Sequence, residues 1–422
     1  MRSVLFTLFL HVLLLQWVTA APSRLQRRTF KIERARNAKF KGHNGPRELL
    51  KAYRKYSMPI PHGLLEALRS QGAGASALST ESSQSKAIGG GTGQPPQPGA
   101  PSCCNCCPCP GNTSTDRGGT GVGLVPATPE QGDLEYLSPV NIGGQTLNMD
   151  FDTGSSDLWV FNTQLARNNI VGHQVYDPSR SPTFRPMRGA TFSIRYGDES
   201  GASGNVGTDI VSIGGVSVPN QAVELATAVS ASFVEDMQNN GLLGLAFSHI
   251  NTVQPRPQKT FFDNVMSSLA EPVFTADLRP SEVGAYEFGR IDSSKFTGDM
   301  AWIPVNTTEG FWQFPNSGFA VGNSPILTRT ATSQAIADTG TTLMLVSPDI
   351  VNAYYSQVRG ARNDPMVGGI TVPCNAVLPD LFVDVGGIYT ARVKGEHIKF
   401  AQVRANSEFL PTYPYKETER ES

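Results

Sequence analysis

This 422-residue sequence predicts an all-β fold on three grounds. Glycine and proline are plentiful, at 42 and 30 residues, which suits a turn-rich chain of short strands better than a helical bundle. From about Val122 the chain alternates in short segments punctuated by Gly, Asn, Asp and Pro. Examples are Ser193-Ile194-Arg195-Tyr196 and Val211-Ser212-Ile213, the latter turning at Gly214-Gly215. Helix-like stretches in this part are few, 263–270 among them. The third ground is a repeat. Phe151-Asp152-Thr153-Gly154-Ser155-Ser156-Asp157-Leu158-Trp159-Val160 is echoed by Ala337-Asp338-Thr339-Gly340-Thr341-Thr342-Leu343-Met344-Leu345-Val346, with the two Asp residues 186 positions apart. Each copy follows apolar residues and leads into an apolar strand.

Composition divides the chain in order. Hydrophobic residues make up 39% and charged residues 17%, which allows a globular core and argues against wholesale disorder. Residues 1–20 read as a cleaved secretory signal: Arg2 gives the positive end, an apolar run covers 4–15, and Val18-Thr19-Ala20 offers small residues for cleavage. As a membrane anchor the run is short and is interrupted by His11 and Gln16, and no later stretch could span a bilayer. Residues 21–70 are basic, with helical patterns in Pro46-Arg47-Glu48-Leu49-Leu50-Lys51-Ala52-Tyr53 and Leu64-Leu65-Glu66-Ala67-Leu68. Residues 71–121 are rich in Gly, Ser, Pro and Cys and read as a disordered linker. Through residue 121 the chain has 16 Lys and Arg against 5 Asp and Glu, a formal +11; from 122 onward it has 19 against 31, a formal −12. In a secreted chain a basic segment such as 24–55 docks against its own acidic partner, and the acidic remainder argues against a nucleic-acid binder.

The repeat carries chemistry. A lone Asp-Thr-Gly is often a plain β-turn, but two copies in matching contexts point to a pair of catalytic carboxyls, Asp152 and Asp338. Amide hydrolysis needs an activated nucleophile and a proton for the leaving nitrogen. Two carboxyls sharing one water supply both, because at close range one stays protonated while the other acts as base. The neighbours fit this use. Gly154 and Gly340 permit tight turns, Ser155 and Thr341 can donate to the outer carboxyl oxygens, and Thr153 and Thr339 can tie the loops together. The chemistry is general acid–base attack by water, with no covalent intermediate, no metal and no cofactor.

Residues 135–384 resemble the pepsin family of aspartic proteases, most of all its secreted fungal branch of penicillopepsin and aspergillopepsin type. The motifs carrying the resemblance are the two Asp loops, Tyr196-Gly197-Asp198 and Gly241-Leu242-Leu243-Gly244-Leu245-Ala246-Phe247, in the family's order. The resemblance implies two β-rich lobes, here 122–310 and 311–422, facing a long cleft with one Asp from each. It implies that Tyr196, Gly197 and Asp198 form a flap over a polypeptide substrate, that Trp159 braces the flap tyrosine through its indole N–H, and that 241–247 supports the first Asp loop. It also implies that residues 21–70 are an inhibitory pro-segment, with Lys55 inserted between the aspartates until acid releases it. The expected product is a secreted, extracellular, monomeric acid endopeptidase made as a zymogen.

Three features depart from that pattern. Glu199 stands at the flap tip in place of a small residue. Only 84 residues follow Asp338, and no apolar-apolar-Gly run matches the strand that the family places beneath the second loop. Cys374 resembles the first cysteine of the family's second-lobe disulfide, yet no cysteine follows it. A second lobe cut short explains both of the latter, either as a mis-spliced reading frame or as a genuine short form. The rival expectation is then a catalytically inactive homologue that at most binds polypeptide. The linker cluster Cys103-Cys104-Asn105-Cys106-Cys107-Pro108-Cys109 matches no standard zinc spacing and leaves soft-metal binding and intermolecular disulfides open. Asn112-Thr113-Ser114 and Asn306-Thr307-Thr308 permit glycosylation.

Overall fold

The computed structural model describes residues 121–130, 134–196, 200–364 and 369–399, the strand backbones at 401–404 and 407–410, and the helical positions Leu50, Leu64 and Leu65. The signal, the rest of the basic segment with Lys55, and the linker with its cysteine cluster and Asn112 lie outside the described residues, as do Gly197, Asp198 and Glu199. Everything that follows belongs to one unit, residues 36–422.

The first half of the β-rich region builds one sheet from β1 (Gly123–Pro129), β2 (Tyr136–Ile142), β3 (Gln145–Asp152), β4 (Leu158–Val160), β5 (Arg185–Arg195), β6 (Gly201–Ile213), β7 (Val216–Val229), β8 (Gly241–Gly244), β9 (Phe274–Arg279) and β10 (Glu282–Phe288). Their spatial order is β5-β6-β7-β4-β8-β3-β2-β1-β10-β9. The hairpin from β6 to β7 turns at Gly214 and Gly215, with φ of 59° and 102°. Both lie in the left-handed region, which gives the turn the twist of its flanking strands. A Cβ on Gly214 would stand 2.5 Å from the Leu124 nitrogen, so the hairpin also needs glycine to lie against β1.

Alternation within the strands fills two cores. One gathers Val140, Ile142, Leu147, Met149, Phe151, Leu158, Val160 and Leu243 with Tyr286 and Phe288. The other gathers Trp159, Phe161, Phe192, Val206, Ala226 and Leu242. Strand β4 thus sends Leu158 and Val160 to one core and Trp159 to the other, as a period of two requires. Two short helices close this half, α1 (Ala231–Glu235) and α2 (Phe261–Val265). The helix expected over 263–270 begins two residues earlier and gives way to a 3₁₀ turn at Met266–Ser268. Thr260 sets that start: its hydroxyl accepts from the Asp263 nitrogen at 3.2 Å, and Phe261, Phe262 and Val265 are buried.

The second half comprises β11 (Gln313–Val321), β12 (Leu327–Ile336), α3 (Pro348–Tyr355), β13 (Arg362–Asp364), β14 (Gly369–Pro373), β15 (Leu381–Val385), β16 (Tyr389–Val393), α4 (Gly395–Ile398), β17 (Ala401–Arg404) and β18 (Ser407–Leu410). It forms two four-stranded sheets, β12-β11-β15-β16 and β13-β14-β18-β17. Helix α3 starts at a proline and packs Ile350, Val351, Tyr354 and Tyr355 against Phe319, Val321, Val372 and Leu381. The hairpin of β17 and β18 was not foreseen in the polar stretch after Lys399. Cys374, the cysteine among the described residues, is a half-buried free thiol. Asn306 is exposed. No helix among the described residues is long and apolar enough to cross a membrane.

Candidate active site

Strand β3 delivers Asp152 to its own end, where it is 4% exposed. The chain then turns so that the Gly154 nitrogen donates to Asp152 Oδ1 at 2.8 Å and the Ser155 hydroxyl donates to Oδ2 at 2.6 Å. The second loop repeats this after β12. The Gly340 nitrogen donates to Asp338 Oδ1 at 2.9 Å, and the Thr341 hydroxyl donates to Oδ2 at 2.5 Å. Each carboxyl is thus held in place by its own loop.

The two loops interlock. The Thr153 nitrogen donates to the Thr339 hydroxyl at 3.1 Å, and the Thr339 nitrogen donates to the Thr153 hydroxyl at 2.9 Å. Each hydroxyl then donates across to the other loop: Thr153 to the Ala337 carbonyl at 2.9 Å, Thr339 to the Phe151 carbonyl at 2.6 Å. This fourfold exchange ties residues 186 positions apart and brings the two carboxyls to one place.

The glycines have a further role here. A Cβ on Gly154 would lie 2.6 Å from Asp338 Oδ1, and one on Gly340 would lie 2.3 Å from Asp152 Oδ1. Each carboxylate therefore rests against the backbone of the opposite loop, and any side chain larger than hydrogen would push it away.

Around the first loop the support is continuous. Strand β8 runs parallel to β3, pairing Asp150 with Leu242 and Asp152 with Gly244, and antiparallel to β4. The Leu245 nitrogen donates to the Asp152 carbonyl at 2.7 Å. The Tyr286 hydroxyl donates to the Phe151 carbonyl at 3.2 Å. Trp159 is fully buried, and its indole N–H donates to the Tyr196 hydroxyl at 2.7 Å. Burial, with the charges of Asp152 and Asp157 next, pushes the Tyr196 phenol well above its ordinary range, so it stays protonated.

Of the residues singled out in the sequence, the structure brings together Asp152, Thr153, Gly154, Ser155, Asp338, Thr339, Gly340 and Thr341, with Trp159 and Tyr196 beside them; Gly197, Asp198 and Lys55 lie outside the described residues. No sequence motif marks Phe233 of α1. Its ring stands edge-on to Trp159 at 4.9 Å and to Tyr196 at 5.8 Å. Trp312 was missed as well: its indole donates to the Leu245 carbonyl at 2.9 Å. Neither sits in a local motif. The donors around the dyad are hydroxyls and backbone amides. The one metal-like grouping among the described residues is Glu130, Glu135 and Asp236, an all-carboxylate cluster in which Glu135 already accepts from Asn239.

Residues 135–409 match a family model described as eukaryotic aspartyl protease. The aspartic protease PEP3 of Coccidioides posadasii is 50% identical over 288 residues, covering 68% of this chain and 65% of that protein. Aspergillopepsin-1 of Aspergillus oryzae is 49% identical over 288 residues, covering 68% and 70%. Penicillopepsin-1 of Penicillium rubens is 50% identical over 285 residues, covering 68% and 70%. The chain spans about two thirds of the length of the curated relatives it matches. Among solved structures, an aspartic proteinase from Irpex lacteus shares the fold with a TM-score of 0.58 at 24% identity, covering 71% of this chain and 88% of that one.

Proposed function

Because the chain belongs to the eukaryotic aspartyl protease family, we propose that it hydrolyses internal peptide bonds of polypeptides at acid pH, with Asp152 and Asp338 acting as one proton-sharing pair. The observation that carries this is the interlocked geometry, in which each carboxyl lies against the glycine of the opposite loop.

In that position two ionised carboxylates repel, so the pair retains one proton as acid is removed. A water held between them loses a proton to the ionised member as its oxygen attacks the scissile carbonyl carbon. The protonated member gives its proton to the carbonyl oxygen. The tetrahedral diol then collapses, the C–N bond breaks, and a proton passes to the leaving nitrogen. Ser155 and Thr341 support this by donating to the Oδ2 atoms, Gly154 and Gly340 by donating to the Oδ1 atoms. Tyr196, held by Trp159, belongs to the lid over the substrate backbone, with Gly197 and Asp198 beyond it.

The same reading makes 1–20 a secretory signal and 21–70 an inhibitory segment with Lys55 as its cation. The opposite formal charges of 1–121 and 122–422 support that part. The test is digestion of a protein substrate across pH. Cleavage that peaks in acid, stops with a statine-type transition-state mimic and ignores chelators is expected. Activity confined to neutral pH, or insensitive to the mimic, would remove the reading.

A further inference from the structure

Behind the catalytic loop lies a second pair of carboxyls. Asp157, five residues after Asp152, is fully buried, and Glu224 on β7 is 1% exposed. Glu224 is the register partner of Trp159 in the parallel pairing of β4 with β7. The Asp157 carbonyl accepts from the Gly244 nitrogen at 2.8 Å, so its backbone is part of the support under Asp152.

The hydrogen bonds of the pair leave an imbalance. Asp157 Oδ1 accepts from the Thr252 nitrogen at 3.1 Å and from its hydroxyl at 2.6 Å. Glu224 Oε1 accepts from Asn251 Nδ2 at 3.0 Å. The other two oxygens, Asp157 Oδ2 and Glu224 Oε2, are buried without a donor. The two carboxyls lie near enough for a hydrogen bond between them. Ionised carboxylates only accept, so that bond exists only if one of the two carries a proton. Among the described residues no ion pair engages either acid.

We propose that Asp157 and Glu224 form a non-catalytic carboxyl pair that holds one proton and, while it does, positions Trp159 and through it Tyr196. This rests on the peptidase reading for its consequence in catalysis, but its structural part does not. The groups that face the pair are the Tyr196 phenol, which feels both charges, and the neutral Asn251 and Thr252 of the adjoining loop; Asp152 acts on the same phenol. Burial raises both carboxyls above their ordinary range, and for Glu224 the Asp157 charge adds to it.

The sign follows. A carboxyl with a raised folded pKa binds its proton more tightly in the folded chain than in the unfolded one. The stability this gives is complete below the unfolded value, near 4, and is lost as pH rises through the folded value. Above it, two buried charges repel directly behind Trp159, and the bracing of Tyr196 loosens.

Glu224→Gln tests this. The amide N–H₂ can donate to Asp157 Oδ2 at any pH, while its oxygen still accepts from Asn251. The midpoint at which rising pH abolishes the native tryptophan fluorescence should move up by about one unit or more. Substrate cleavage at acid pH should stay within about twofold of the parent, with the alkaline limb extended. An unchanged or lowered midpoint would overturn the proposal. If Glu224→Gln does not fold, infrared spectra of the unaltered protein decide. A carboxylic-acid C=O band at neutral pH that shifts on carbon-13 labelling of glutamate, or of aspartate once Asp152→Asn and Asp338→Asn have removed the catalytic pair's own proton, supports the shared proton, and no such band refutes it. A parent protein that shows the band and cleaves nothing would sink the peptidase reading and leave the pair standing.

Discussion

Beneath Asp152 lies a strand paired on both sides: β8 sits between β3 and β4, and Leu158, Trp159 and Val160 are all buried. The matching run after Asp338 forms no strand among the described residues. Met344, which occupies the place of Leu158 in the repeat, is 47% exposed where Leu158 is 4%. Ile336, the counterpart of Asp150, is 46% exposed. Yet the carboxyl of each loop is held by the same two donors, at distances within about 0.1 Å of each other. The short motif therefore dictates how an aspartate is presented, while its stiffness comes from strands elsewhere in the chain. The second loop borrows its order from the first through the two threonines.

The comparison can be broken at the glycines. Gly154→Ala and Gly340→Ala both put a methyl group into the opposing carboxylate, and each should lower kcat/KM by about 100-fold or more despite the unequal surroundings. If only one does so, the two loops do not meet as equals. The inequality itself is sharpened by core truncation. Leu243→Ala in β8, fully buried, should cost about 2–5 kcal/mol in denaturant unfolding. Met344→Ala should change it by only about 0.5 kcal/mol. Equal costs would mean that Met344 is covered as well as Leu158. A smaller effect is expected at the lid. Tyr196→Phe loses the bond from Trp159 and should lower kcat/KM about fivefold, an effect of roughly 1 kcal/mol.

The residues legible in the sequence are those whose role is written within a few positions. Asp, Thr, Gly and a hydroxyl residue in a row encode the carboxyl's own donors and the threonine exchange. The all-β class was legible for the same reason, since turns and alternation are local. Phe233 and Glu224 were not, because Glu224 meets Trp159 only through the parallel pairing of β7 with β4, and Phe233 only through the ring contact from α1. Asp157 was visible as a motif position, but its significance depends on Glu224, 67 residues away. The hairpin of β17 and β18 was hidden because β18 pairs with β14, 34 to 40 residues earlier, and strands of four residues leave little periodicity.

The central claim is that two unequally supported aspartates work as one pair. It is tested most directly by single-turnover cleavage of a polypeptide at acid pH by Asp152→Asn, Asp338→Asn and the double variant. Each single change should lose at least about 1,000-fold, and the double should lose little more, because half a pair does no acid–base work. Additive losses, or one single variant that keeps substantial activity, would contradict it.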